Sequence, residues 1–478
     1  MQRVMRTILL LAAMAACGGT LAEAATVGAY YYPWYGPNGG HHYNDVMRMH
    51  LTPNAQPPAL GAYDSRDPNV IAAHIDQSHL GNISMWSMSW WGPNSYEDRT
   101  IRNNILPHPR ASELSYTIHY ETSGRLGTSA APNYDRFQTD MRYLGQNIFS
   151  DPNYMRINGR PIVVLYLSRD YFRNQAGWDA LASMRTMMQS EFGYDPYVIG
   201  DHFFGDLAPG SQYLDAVTAF DVYGQAFGSR PTNIASLNRL ETIYNTAQKL
   251  SNALGADFVP GLAPGYNDTA VRDGNAPSPR YLTNSGYGPT TQGSTMSEML
   301  DRVVLPHLDA DVNNLILVNS FNEWHEDTQI EPTIVAPATN TDDTLTGRDF
   351  TAGYYYEGYG NLYLDILRQK TAPALAGDFN GDRLVNGDDL AIWRTNFGAT
   401  SATPAMGDAD SDGAVDGSDF LVWQRHATRF AGAATNAVPE PTSALLCHSG
   451  LIAVVVANLR RRSALYCKGD QRLGVQLR

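Results

Sequence analysis

Glu323 and Glu326 stand three residues apart in the stretch "SFNEWHEDTQIEP", directly after the apolar run "NLILV". Carboxylates avoid protein interiors unless they are paired or put to use. Two of them at this spacing can flank a single bond. One would protonate a leaving oxygen while the other serves the second half of the displacement, the two roles that glycosidic cleavage requires. Between and beside them, Asn322 can hydrogen-bond a ligand or orient a carboxylate. Trp324 and His325 can shape a pocket or shift a pKa by partial desolvation. The structural alternative is that one glutamate pairs with an arginine and merely closes the fold.

Such a pair needs elements to aim it. Between residues 25 and 371, eight strand-like runs occur: "VGAYYY", "ISMWSMSWW", "ELSYTIHY", "PIVVLY", "PYVIG", "AVTAFDVY", "DFVPG" and "NLILVNS". Most are continuously apolar, as expected of parallel strands buried on both faces. Helical faces lie between them, such as Phe137, Met141, Leu144 and Ile148, or Leu237, Leu240, Tyr244 and Ala247. Asp67-Pro68 ahead of "NVIAAHIDQSHLG" has the capping side chain and first-turn proline of a helix start. The alternation predicts an α/β fold, a (β/α)8 TIM barrel with enlarged loops. An open doubly wound sheet competes with it, but no glycine-rich phosphate turn follows the first strand.

In a barrel of this kind, chemistry gathers at the C-terminal ends of the strands. Those ends carry Tyr32, Trp34 and Tyr35, then Trp91, then Tyr120 and Glu121, then His202, Tyr223, Tyr266 and Arg272. Aromatic faces with polar groups between them suit a carbohydrate cleft. Individually, each aromatic could equally plug the barrel.

The resemblance is specific at this point. "SFNEWHEDTQIEP" is similar to the signature of glycoside hydrolase family 99, whose members are endo-acting α-mannosidases and α-mannanases. "YYYPWYG", "DPNVIAAHI", "SWWGP", "IHYE" and "FVPGLAPGYNDTAVR" agree with it, so the resemblance spans roughly residues 27 to 335. It implies a (β/α)8 barrel without a catalytic metal, and a retaining mechanism with an unusual nucleophile. Glu323 would deprotonate the sugar's own 2-hydroxyl, which attacks the anomeric carbon to give a 1,2-anhydro intermediate. Glu326 would protonate the leaving oxygen and then activate water. Asp327 departs from the pattern, standing where the family motif usually has glycine. It is expected to be a third acid that raises the pKa of Glu326.

Residues 375–430 read differently. "DFNGDRLVNGDD" and "DADSDGAVDGSD" place oxygens at loop positions 1, 3, 5, 9 and 12. These are Asp378, Asn380, Asp382, Asn386 and Asp389, then Asp408, Asp410, Asp412, Asp416 and Asp419. A hard cation such as Ca2+ takes six to eight oxygens, and this spacing curls them around one centre. Each loop runs into an apolar segment bearing a tryptophan, a repetition that an acidic linker would not produce. The segment resembles a type I dockerin, a small all-α, EF-hand-like module. That implies structural calcium and a cohesin-like or cell-surface partner. Arg383 replaces the usual glycine at position 6 of the first loop and implies a weaker site there.

The ends carry sorting signals. Residues 1–24 have Arg3 and Arg6, an apolar stretch and the small-residue site Ala22-Glu23-Ala24, which reads as a secretory signal peptide. A lipoprotein signal acylated at Cys17 is the second reading. Residues 438–463 open on Pro-Glu-Pro and end on Arg460–Arg462, and resemble the PEP-CTERM sorting tail; a short anchor helix is the alternative. Of the three cysteines, Cys17 falls in the signal and Cys447 and Cys467 in the C-terminal tail, which excludes thiolate metal sites from the body.

With 43% hydrophobic residues, the chain can bury a large core, and its formal charge of −14 argues against nucleic acid as a partner. The expectation is thus a secreted or surface-attached endo-glycosidase that cleaves α-mannosidic bonds with retention. Two rivals remain at this level. One is a noncatalytic glycan-binding barrel. The other is a hydrolase or glycan-assembly protein for another α-linked polysaccharide or oligosaccharide.

Overall fold

The structure, a computed structural model, describes residues 25–427 apart from 37–41, 44–45, 205, 221, 224–232, 273–274, 285, 346, 374 and 382–383. The expected signal peptide with Cys17, the sorting tail and the loop residues Asp382 and Arg383 lie outside the described residues.

Eight parallel strands follow one another in chain order around a ring. They are β1 (Thr26–Tyr31), β2 (Ile83–Trp90), β3 (Ser115–Tyr120), β4 (Arg160–Leu165), β5 (Tyr197–Asp201), β6 (Ala216–Thr218), β7 (Asp257–Val259 and Gly261–Leu262) and β8 (Leu315–Val318). Each pairs with the next, and β8 pairs with β1 through Thr26–Leu315 to Ala29–Val318. Among the described residues the ring is nearly closed, interrupted at Pro260. Lacking an N–H, the proline cannot donate to the ladder. The half of β7 before it pairs with β6, the half after it with β8. Its carbonyl is still used, accepting from Leu317 N–H at 3.1 Å.

Side chains alternate between two apolar regions, as the period of a strand requires. Val27, Ala29 and Tyr31 pack outward with Ile316 and Val318 against the helices. Tyr30, Met85, Ile162, Val164, Ile199, Leu315 and Leu317 fill the barrel interior. Burial of each such aliphatic contributes roughly 1.5–3 kcal/mol. Gly28 sits where the filling is tightest: a Cβ there would lie 2.3 Å from Met85 Cε and 3.0 Å from Leu317 Cδ2.

The principal outer helices are α1 (Pro68–Leu80), α2 (Tyr134–Asn147), α3 (Gln175–Phe192), α4 (Ile234–Leu254) and α5 (Leu362–Thr371). Asp67 caps α1 by accepting from Asn69 N–H, with Pro68 at its first turn. Phe137, Met141 and Leu144 are buried along α2, and Ile148 lies just past its end. The expected sixth strand, "AVTAFDVY", pairs only over Ala216–Thr218; Ala219 and Phe220 already belong to the loop that follows.

Further on, α6 (Gly387–Asn396) follows the first acidic loop and α7 (Gly417–His426) follows the second. Asn386 and Asp416, at position 9, cap these helices. Asp389 and Asp419, at position 12, return a carboxylate oxygen to the capping residue's own N–H. In the second loop, carboxylate oxygens of Asp408, Asp410 and Asp412 lie within 4.8 Å of one another.

Candidate active site

β8 ends at Val318, and the chain then doubles back in a loop clamped at its neck. Ser320 N–H donates to Thr328 O at 2.8 Å, their hydroxyls lie 3.0 Å apart, and Ile330 N–H donates to Ser320 O at 2.9 Å. Inside the loop, Glu323 N–H donates to Ser320 Oγ at 2.7 Å. Glu323 Oε1 lies 2.9 Å from both the main-chain N and the Nδ1 of His325. Glu326, three residues on, meets Arg272 Nη1 at 2.8 Å, and the same nitrogen reaches Asp268 Oδ2 at 2.9 Å.

Both glutamates line one cleft of about 370 Å³ at the C-terminal ends of the strands. Tyr32, Trp34, Trp91, Glu121, Arg272 and His325, all singled out from the sequence, line it with them. Trp34 forms one wall, its ring 4.6 Å from Tyr32 and 6.4 Å from Trp91. His42, Ser123, Tyr166, Phe220 and Val271 complete the lining, and sequence reasoning missed all five. His42 stacks on Trp34 at 4.7 Å. Phe220 is braced through its N–H by Asp201 Oδ1 at 3.1 Å.

Glu121 is buried beside the pair and accepts from Ser89 Oγ at 2.7 Å. Burial, aided by the charges of Glu323 and Glu326 and opposed by the Ser89 hydrogen bond, pushes its carboxyl up to about 8. At neutral pH it is therefore a neutral donor among two other acids.

The remaining expected binding residues do not face the cleft. Tyr120 points outward with Tyr116 and Ile118, and its hydroxyl donates to Asp140 at 2.9 Å. His202 is buried behind β5, with Nδ1 3.0 Å from Ser168 Oγ. Tyr223 donates to Ala263 O at 2.6 Å, and the Tyr266 hydroxyl lies 3.4 Å from Arg272 Nη1, beside the cleft. Asn322 is consumed by the main chain of Tyr32, accepting from its N–H at 2.7 Å and donating to its carbonyl at 3.1 Å. Tyr35 donates to Asn322 O at 2.7 Å. Trp324 is buried and donates to Glu331 Oε2 at 2.8 Å. These groups hold the loop from beneath. Glu331, another residue the sequence did not single out, also accepts from Tyr63 OH at 2.9 Å and lies 3.1 Å from His74 Nε2.

Asp327 corrects an expectation. It is not a third acid in the cleft, because its side chain turns into the interior between Arg48 Nε at 2.5 Å and Arg280 Nε at 3.1 Å. Burial alone would raise its carboxyl, but Arg280 and Arg48 hold it below the usual carboxylate range. Its φ of +49° lies in the left-handed region, which glycine favours and aspartate tolerates.

Residues 24–365 match the model of the family described as "Glycosyl hydrolase family 99". A "Glycoprotein endo-alpha-1,2-mannosidase" of Xenopus laevis is 26% identical over 71% of this chain and 75% of its own length. That of Mus musculus is 24% identical over 66% and 69%. Among solved structures, a "Glycoside hydrolase-like protein" superposes with a TM-score of 0.53 at 16% identity, over 74% of this chain and 96% of that one. The chain belongs to glycosyl hydrolase family 99 and is a glycoside hydrolase.

Proposed function

We propose that the protein is an exported endo-acting α-mannosidase that works with retention through a 1,2-anhydro sugar. The observation that carries this reading is the placement of Glu323 and Glu326 on one cleft, one fixed by His325 and the other paired with the half-exposed Arg272. The mannosidase names of the relatives support the substrate class.

In an α-mannoside, O2 and the leaving oxygen lie on opposite faces of the ring, so O2 can attack C1 from behind. Glu323 takes the O2 proton as the O2–C1 bond forms and the glycosidic C1–O bond breaks. Glu326 gives its proton to the departing oxygen, a transfer that requires its contact with Arg272 to part. Water then attacks C1, passing a proton to Glu326, while the C1–O2 bond opens and O2 recovers its proton from Glu323. Two inversions give net retention. Neutral Glu121 donates to a sugar hydroxyl, and Trp34, Tyr32 and Trp91 take the apolar faces of the rings.

Reducing-end release from α-linked manno-oligosaccharides tests the reading, with wild type and Glu326→Gln compared. Wild type should release oligosaccharide, and the variant should be slower by roughly 10²–10⁴-fold, the usual worth of a general acid. Binding without turnover by wild type would instead support a glycan-binding barrel.

The acidic repeat belongs to the same proposal as a dockerin-like calcium module at residues 375–430. The three clustered carboxylates of the second loop fit a hard cation, and calcium would fix the loop there. Attachment to a cohesin-like or cell-surface partner would hold the hydrolase near its polysaccharide.

A further inference from the structure

Arg272 is held between two carboxylates by a single nitrogen. Its Nη1 donates to Glu326 Oε1 at 2.8 Å and to Asp268 Oδ2 at 2.9 Å. The two acids differ in setting. Glu326 lines the cleft, whereas Asp268 is buried and also accepts from Asn275 Nδ2 at 2.8 Å. Arg272 itself is half-exposed, so its long side chain can pivot between them.

The turn that presents this cation is docked on Glu326 itself. Asn267 N–H donates to Glu326 O at 2.7 Å, and Asn267 Nδ2 donates to Phe350 O at 2.8 Å. Asp268 O accepts from Val271 N–H at 2.9 Å and from Arg272 N–H at 2.8 Å, which closes the turn and brings the arginine back beside its own aspartate. Main chain and side chain thus tie the stretch "NDTAVR" to one glutamate.

This arrangement answers a difficulty in the reaction. A cation at 2.8 Å favours the ionised form of Glu326, yet a general acid must begin protonated. Two oxygens on one nitrogen are no more than about 6 Å apart, near enough for the charge of Asp268 to oppose that of Arg272 at Glu326.

We infer that Asp268 is a positioning residue for the general acid: it holds Arg272 while Glu326 carries its proton, and Arg272 turns to Glu326 as that proton leaves. The proton passes from Glu326 to the departing oxygen, and the new carboxylate takes the guanidinium. Proton uptake from the attacking water then sends the guanidinium back to Asp268. This rests on the acid/base role proposed above for Glu326. Among the described residues, the other titratable groups around that site are Glu323 and His325 of its own loop, Tyr32, His42 and Glu121 in the cleft lining, and Tyr266 beside Arg272.

The pH profile of kcat/KM on an α-linked manno-oligosaccharide tests the inference, since its alkaline limb reports the acid of the free enzyme. Asp268→Asn keeps the shape and an acceptor oxygen but leaves Arg272 to Glu326 alone, so the limb should move down by about one pH unit. In Arg272→Gln it should move up by about as much. Asp268→Asn made in the Arg272→Gln background should move the limb less, because no cation is left to share. A glycosyl fluoride of the same sugar, whose leaving group needs little help from an acid, controls for Glu121 and the other groups; its profile should hardly change in Asp268→Asn. An unmoved limb in Asp268→Asn, a move equal in both backgrounds, or one matched by the fluoride overturns the inference and leaves the hydrolase reading intact. No turnover of either substrate by wild type would overturn that reading itself, and the inference with it.

Discussion

His325 places both its main-chain nitrogen and its Nδ1 2.9 Å from a single oxygen of Glu323. One neighbour therefore fixes the carboxylate that is proposed to take the O2 proton. Hydrogen bonds to a charged group are worth about 1.5–3 kcal/mol. His325→Phe keeps the main-chain bond and loses the ring one. Its kcat should fall by about 10- to 100-fold with KM little changed, the pattern of an interaction made mainly in the transition state. Steady-state kinetics decides it, and a change confined to KM would assign His325 to binding alone.

Glu121 predicts a pH dependence of stability. Its folded-state pKa, about 8, lies above the ordinary carboxylate value of 4.5. The folded protein therefore holds the proton more tightly than the unfolded chain. The stabilisation is complete below about 4.5 and is lost as pH rises through 8. Glu121→Gln mimics the neutral acid. Thermal melts from pH 5 to 9 should show wild type losing ground to the variant up to about pH 8 and then levelling off. Parallel curves would mean that Glu121 is ionised throughout.

Asp327 should matter for folding. Removing it leaves the buried Arg48 and Arg280 without their carboxylate. Breaking a buried pair from one side costs about 3–5 kcal/mol, so Asp327→Ala should lower the denaturant midpoint severely. Asp327→Gly suits the positive φ but loses the same charge, so it should be destabilised as well. If both variants melt like wild type, the clamp contributes nothing.

The proposed nucleophile belongs to the substrate, which gives a chemical test. An α-manno-oligosaccharide methylated on O2 of the sugar at the cleavage point should bind but resist hydrolysis. Hydrolysis at a comparable rate, followed by chromatography of the products, would exclude attack by O2.

Much of this architecture was legible in the sequence because buried parallel strands are written as continuous apolar runs. The two glutamates were legible because acids seldom follow such a run without a reason. The binding residues were read less well, since nearness to a strand end does not tell which way a side chain faces. Counting alternate positions would have helped: Tyr116, Ile118 and Tyr120 share the outward face of β3, which leaves Glu121 to face in. The same parity sends His202 outward with Val198, while Ile199 faces in. His42, Tyr166, Phe220 and Val271 carried no local signal. They come from loops that fold over the barrel mouth, and only the tertiary structure brings them to one cleft. Asp327 misled because adjacency in sequence was read as adjacency in the site, whereas a left-handed residue reverses the side-chain direction.

The most direct test of the central claim is the configuration of the first product. Proton NMR of wild-type enzyme acting on an α-linked manno-oligosaccharide, recorded before mutarotation, reads the new anomeric centre. The account predicts that the α-anomer appears first and the β-anomer only later, by mutarotation. Initial release of the β-anomer would contradict it, because two successive inversions at one carbon cannot give that product.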